Sequence, residues 1–343
     1  MKKIEKIILT IFILSIIFAG TNSAYCQSKA TLSTRFIKTV FESGAKKANK
    51  ALEKHLPEIL PLVFTEHYDL NDKDAFLDVY YPDDTSQVAL TTVVWVHGGG
   101  WIAGHKSEMS NYYKILAARG FTVVSVDYTL APKQHYPYQI NQLNKALEFL
   151  VANAEKLRID TTRLFLAGDS GGASIVAQYT NILTVDSYAK MVGIEPLINK
   201  QQLAGVLLYC GVYDIEMFNV KGSFGWFIKT IGKAYSGNKD FLTLPYFKTI
   251  SVINYVSADF PPAYISVGND DPLAQHSVLL VRKLSDLGVP VDTLFFEENY
   301  RPKQPHEYQS SLDTEAGSLT LERSIEFLKQ SPKFPLRDRA VKF

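Results

Sequence analysis

The stretch Leu164–Ala173 reads LFLAGDSGGA. An apolar run stops at Gly168, a single serine stands between glycines, and small residues follow, so a strand gives way abruptly to a helix. Taken alone, Ser170 fits two roles: the cap of the next helix, or a nucleophile held on a strained turn. A cap needs no glycine on either side. A sharp turn with the serine at its apex does, because side chains two positions before and two after would collide with the adjoining strand or helix. Gly168 and Gly172 occupy those two positions.

Working outward, the same rhythm of short apolar run and helix recurs. TTVVWVHGGGW and FTVVSVDYTLAP precede the stretch, each followed by a helical segment, NYYKILAARG and then Tyr138 to Lys156. LAGVLLYCGVYD, PAYISVGNDDP and VDTLFFEE follow it, with the amphipathic LAQHSVLLVRKLSDLG between the last two and a closing helix from Leu312 to Lys329. Buried runs alternating with helices predict a mostly parallel sheet covered on both faces. EHYDL and AFLDVYYP, joined by NDKD, predict an antiparallel start and bring the expected strands to eight. Before them, Lys29 to about Leu60 is helical in composition, with Phe36, Ile37, Val40 and Phe41 on one face. The segment from Asp214 to Pro261 breaks the rhythm. It is long and aromatic, and it is expected to form a helical lid over the sheet's carboxyl edge, where open parallel sheets carry their sites.

Composition narrows the class. The 343 residues are 46% apolar and 21% charged with a formal net charge of +1, which suits a folded globular chain and recommends no nucleic-acid or acidic partner. The opening MKKIEKIILTIFILSIIFAGTNSAYCQ sets lysines before an apolar block and then small residues, the layout of a secretory leader. The apolar run is shorter than the roughly 18 to 20 residues that cross a bilayer as a helix, so export to a secreted or periplasmic location is expected rather than an uncleaved anchor. A cut after Ala24 and one after Cys26 both fit. Loss of a leader spanning 1–26 would leave Cys210 as the one thiol, inside an apolar run and expected to act as a small buried hydrophobe. The remaining chain divides into a helical segment at 27–61, a candidate cap, and a catalytic unit at 62–343 with its lid insertion at about 214–260.

A serine nucleophile needs a base, and the base needs a carboxylate. Asp270 and Asp271 end a late strand in the turn before a helix, and the residues do not choose between them. Two histidines lie downstream. His276 belongs to the following helix and is expected along the sheet's flank, whereas His306 lies in the loop after the last strand and can reach back over the sheet edge. The oxyanion formed on attack needs unobstructed backbone amides. Gly98, Gly99 and Gly100, at the end of the first long parallel strand, supply a glycine run, and the amide of Gly171 completes it. A nucleotide-phosphate loop would end in Lys-Ser/Thr and open a helix, which this loop does not. No cofactor or metal is expected.

With these residues assembled, the chain resembles the α/β-hydrolase superfamily and, within it, the hormone-sensitive-lipase-like carboxylesterases. HGGGW, DYTLAP, GDSGG and DDPL stand in the order and rough spacing of that family's HGGG, DYRLAP, GDSAGG and DPL blocks, over about residues 62 to 330. The resemblance implies the α/β-hydrolase fold, with Ser170 as nucleophile, Asp271 as acid, His306 as base and Gly99, Gly100 and Gly171 as oxyanion donors. It gives His97 and Gly98 the organisation of the glycine loop. Thr129 replaces the family's usual Arg, Gly171 its Ala, and Glu307 and Tyr308 the Gly and Phe that more often follow the base. The implied activity is hydrolysis of small to medium apolar esters through an acyl-enzyme. Kynurenine-formamidase-like and feruloyl-esterase-like branches share the glycine loop and triad order, so amide hydrolysis is the alternative. A ligand-binding homologue would typically lack a triad member, and a serine peptidase would carry a large gating domain.

Overall fold

In a computed structural model, residues 23–82 and 88–330 are described, so the leader up to residue 22 and the side chain of Cys26 lie outside them. Eight strands form one sheet in the order β1-β2-β4-β3-β5-β6-β7-β8. They are β1 (Leu62–His67), β2 (Phe76–Tyr81), β3 (Leu90–Val96), β4 (Thr122–Val126), β5 (Ile159–Asp169), β6 (Leu203–Tyr209), β7 (Ala263–Val267) and β8 (Val291–Phe295). β1 runs antiparallel to β2 and β2 antiparallel to β4, while β3 to β8 are parallel throughout. The mostly parallel sheet and its antiparallel start therefore match the reading of the apolar runs.

Because successive side chains on a strand point to opposite faces, each buried run feeds two cores at once. On β3, Val94 and Val96 enter one core while Val93 and Trp95 enter the other; Leu166 and Phe165 divide likewise on β5. The larger core takes α3 (Tyr138–Ala152), α4 (Ser170–Thr184) and α7 (Ala274–Asp286). The smaller is covered by α2 (Ser110–Ala117) and α8 (Glu315–Lys329). Every residue of β4, β6 and β7 is buried, as a strand covered on both sides requires.

Three local readings are corrected. The first helix, α1, spans Ser23–Ala51 and tightens into a 3-10 turn at Leu52–His55 instead of continuing to Leu60. Its expected apolar face is only partly buried: Ile37 is covered, but Phe36 and Val40 remain about half exposed. A short helix, α5 (Asp186–Val192), follows α4 where the sequence carried no evident helical stripe, and Gly193 closes it in the left-handed conformation. Between β6 and β7 the aromatic segment folds as α6 (Gly222–Ser236) followed by short 3-10 turns.

Candidate active site

β5 ends at Asp169 and α4 begins at Ser170, whose φ of +48° lies in the left-handed region that side chains avoid. The flanking glycines make this turn feasible. A Cβ on Gly172 would fall on the carbonyl of Val96, and one on Gly168 would fall on the backbone of Gly172. Ser170 is thus presented at the carboxyl end of a central strand, with the amino terminus of α4 and its partial positive charge beneath it.

The loop after β8 brings His306 to this serine. Nε2 of His306 lies 3.0 Å from Oγ of Ser170, and Nδ1 lies 2.8 Å from Oδ2 of Asp271. Asp271 is buried, and its Oδ1 accepts the Leu273 amide at 2.7 Å, so both oxygens are committed. The loop is pinned to the Asp271 turn: Asp270 N donates to the Gln304 carbonyl and Gln304 N to Oδ1 of Asn269, each at 2.9 Å, while Asn269 Nδ2 donates to the Glu297 carbonyl at 2.7 Å and the Tyr300 carbonyl at 3.3 Å. Asp270 itself is exposed, which settles which of the two acids meets the ring.

His276 lies on the flanking helix α7, as expected. It is buried, and its Nδ1 faces the amides of Tyr213 and Asp214 at 3.4 and 3.3 Å, away from Ser170. Burial pulls its pKa down to about 4, consistent with a neutral acceptor. Cys210 is buried as expected, but its place was not foreseen. Its backbone turns left-handed (φ +45°) at the end of β6, and its sulfur stands within 4.8 Å of the facing atoms of Asp271 and His306. Burial alone would lower the pKa of His306. Cys210 and the Asp271 hydrogen bond, with Glu307 adding its charge, override burial and raise it well above the ordinary histidine value.

The glycine loop lies across from the histidine. Gly98 N donates to the Asp169 carboxyl, while Gly99 and Gly100, with φ of +91° and +57°, have amides without an acceptor among the described residues. Trp101 Nε1 donates to the Gly171 carbonyl at 2.9 Å and so ties this loop to the start of α4. A Cβ on Gly171 would come 3.3 Å from the Gly100 amide nitrogen, which places the two segments side by side. His97 stands in the cavity lining behind the glycine loop. It is buried, stacks on Tyr128 at 4.2 Å, and donates from Nδ1 to the Gly98 carbonyl at 3.0 Å; Tyr128 donates to the same carbonyl. Burial lowers its pKa to about 4, so it acts as a neutral brace for the loop.

A cavity of about 710 Å³ opens over Ser170. α1 contributes Val40, Phe41 and Ala45 to its wall, α6 contributes Phe224, Phe227 and Ile231, and Phe41 meets Phe227 edge-on at 5.8 Å. Three acidic residues also line it: Glu108, Asp169 and Glu307. Glu108 and Asp169 are each pushed up to about 7, in both cases chiefly by burial, with Glu42 and then Glu307 adding repulsion at Glu108, and Glu307 at Asp169. Motif reading noticed Glu307 only as a departure from a pattern, and it missed Glu108 and Asp169 because nothing local to them signals a cavity.

A parallel sheet with a serine on a strand-to-helix turn, a loop histidine and a glycine loop defines an α/β-hydrolase fold. The family model BD-FAE matches residues 77–284, and the chain belongs to that family. Among curated relatives, an acetyl esterase of Salmonella paratyphi B is 25% identical over 223 residues, 62% of this chain and 64% of the relative. The chain therefore spans just under two-thirds of the length of that esterase. A putative alpha/beta hydrolase of Acanthamoeba polyphaga mimivirus is 25% identical over 76% of this chain and 75% of its own. Among solved structures, esterase B from Lactobacillus rhamnosis inhibited by a tributyrin phosphonate is similar with a TM-score of 0.73 and 21% identity, covering 90% of this chain and 96% of its own. The resemblance to esterases of the α/β-hydrolase superfamily expected from the four motif blocks thus holds.

Proposed function

We propose that this chain is a serine carboxylic-ester hydrolase acting on small to medium apolar esters through an acyl-enzyme. The observation that carries the reading is the unbroken hydrogen-bonded line from Ser170 Oγ through His306 to the buried carboxylate of Asp271. His306 Nε2 takes the serine proton as Oγ attacks the ester carbonyl. The tetrahedral oxyanion is received by the free amides of Gly99 and Gly100 with that of Gly171, in a site whose dipoles are already aligned. As the intermediate collapses, Nε2–H protonates the departing alcohol, and Asp271 holds the tautomer and balances the imidazolium charge. Water then enters by the same route and releases the acid. The apolar walls from α1 and α6 suit an uncharged acyl chain, and the acetyl esterase and the esterase B inhibited by a tributyrin phosphonate among the similar proteins favour esters over amides.

The test is hydrolysis of short-chain nitrophenyl esters and labelling by a fluorophosphonate probe. Wild type should turn over and be labelled, while Ser170→Ala should lose labelling and all but a trace of turnover. A Ser170→Ala variant as active as its parent, or a wild type that neither turns over nor labels, overturns the reading.

A further inference from the structure

Directly after the base stands Glu307, with a φ of +58° that glycine adopts easily and glutamate does not. This backbone carries the carboxylate into the cavity. Its Oε1 is 3.8 Å from Nε2 of His306 and lies against the α-carbon of Gly98, so close that a Cβ there would come within 3.1 Å of it. The ring of His306 is the one ion-pair partner of Glu307 among the described residues. Glu108 and Asp169 share the same cavity, and no lysine or arginine among the described residues lines it. A carboxylate whose one charged neighbour is the titrating ring of His306, with no lysine or arginine to neutralise the acids around it, attracts a mobile positive charge and repels a negative one whenever that ring is neutral.

Position decides which part of the substrate feels this charge. The leaving alcohol takes its proton from Nε2, so the group next to Glu307 is the alcohol and not the acyl chain. Building on the ester-hydrolase reading above, we infer that Glu307 is a specificity-determining residue that selects esters whose alcohol carries an ammonium or quaternary amine and rejects those whose alcohol is anionic. The rings of Phe224 and Phe227, stacked at 5.9 Å in the cavity wall, add π faces on which a quaternary cation can rest. The chemistry is unchanged, since the cation leaves with its alcohol.

Three acetate esters of similar shape test this: acetylcholine, its uncharged isostere 3,3-dimethylbutyl acetate, and the acetate of 4-hydroxybutanoate. Wild type should favour acetylcholine over the neutral isostere by about tenfold or more in kcat/KM, disfavour the anionic ester, and lose this ranking as salt rises. In Glu307→Gln and in Glu307→Gly, which relieves the left-handed backbone, the ratio of cationic to neutral ester should fall to within about threefold of one. Phenyltrimethylammonium binding by calorimetry reads the same charge without turnover, and folded variants should bind it about tenfold more weakly. A wild-type ratio near one, or ratio and binding unchanged in both variants, overturns the inference while neutral-ester hydrolysis stands. If wild type cleaves none of these esters and no nitrophenyl ester, the ester-hydrolase reading falls and takes this one with it.

Discussion

Asp271 holds His306 with one oxygen, 2.8 Å from Nδ1, while its other oxygen is fixed by the Leu273 amide at 2.7 Å. An asparagine at this position can keep the Leu273 bond through its carbonyl, but it then turns an NH₂ toward Nδ1 and favours the wrong tautomer. Asp271→Asn should therefore lower kcat on the order of 10³- to 10⁴-fold with little change in KM. The exposed neighbour gives the contrast, and Asp270→Asn should stay within about twofold of wild type. Equal losses in the two variants in steady-state kinetics would contradict this placement.

If His306 is the base proposed above, its pKa should set the acid limb of the reaction. On the proposed mechanism only the neutral ring accepts the serine proton, so the rate should be lost as pH falls through that pKa. Since the surroundings raise it above the ordinary value of about 6.5, the midpoint of kcat/KM on a neutral ester should lie above about 6.5. A limb centred below 6 in a pH–rate profile would show that the acidic surroundings do not reach the ring.

Asp169 links the site to stability. Its carboxyl accepts the Trp95 indole at 2.7 Å, and burial followed by Glu307 pushes its pKa up to about 7. The folded state therefore holds this proton more tightly than the unfolded chain, where the pKa is about 3.9. Stability is full below that value and declines as pH climbs toward 7. Asp169→Asn keeps the indole bond and cannot ionise. Urea melts should show it gaining on wild type between about pH 4 and 7, by on the order of 2 kcal/mol at the upper end. A constant difference across this range would refute the linkage.

Glycines in this chain fall into two physical kinds. Gly172→Ala would drive a methyl group into the Val96 carbonyl and should cost about 1–3 kcal/mol or more, with activity lost in parallel. Gly44 lies inside α1 with nothing within 4 Å of an added Cβ, so Gly44→Ala should be neutral to stabilising by up to about 1 kcal/mol. Denaturation curves that fail to separate the two would mean that the elbow can relax.

The sheet was legible because each central strand is a short run of apolar and β-branched residues ending in glycine or aspartate, a signal local to the chain. Ser170, Gly172 and the glycine loop were legible for the same reason: a tight backbone approach demands a residue type at a fixed offset. The choice between Asp270 and Asp271 was not, since their directions differ only through the turn that buries one and exposes the other. Cys210 looked like any small residue in an apolar run, because the left-handed turn that sets it beside His306 leaves no mark on its neighbours. α5 was missed because seven residues are too few to display a helical stripe. Periodicity sets Phe36 and Val40 on one side of α1 with Ile37 but does not report how much of that side finds a partner, and only Ile37 of the three is buried.

The wall of the cavity and its floor come from separate stretches of chain. Strand ends and their loops supply the serine, aspartate, histidine and glycines, whereas α1 and α6 supply Phe41, Phe224, Phe227 and Ile231 opposite them. The shape of the wall can therefore change without disturbing the floor. On the proposed function, substitutions drawn from two helices would reshape what is admitted and leave the strained backbone at Ser170 as it is.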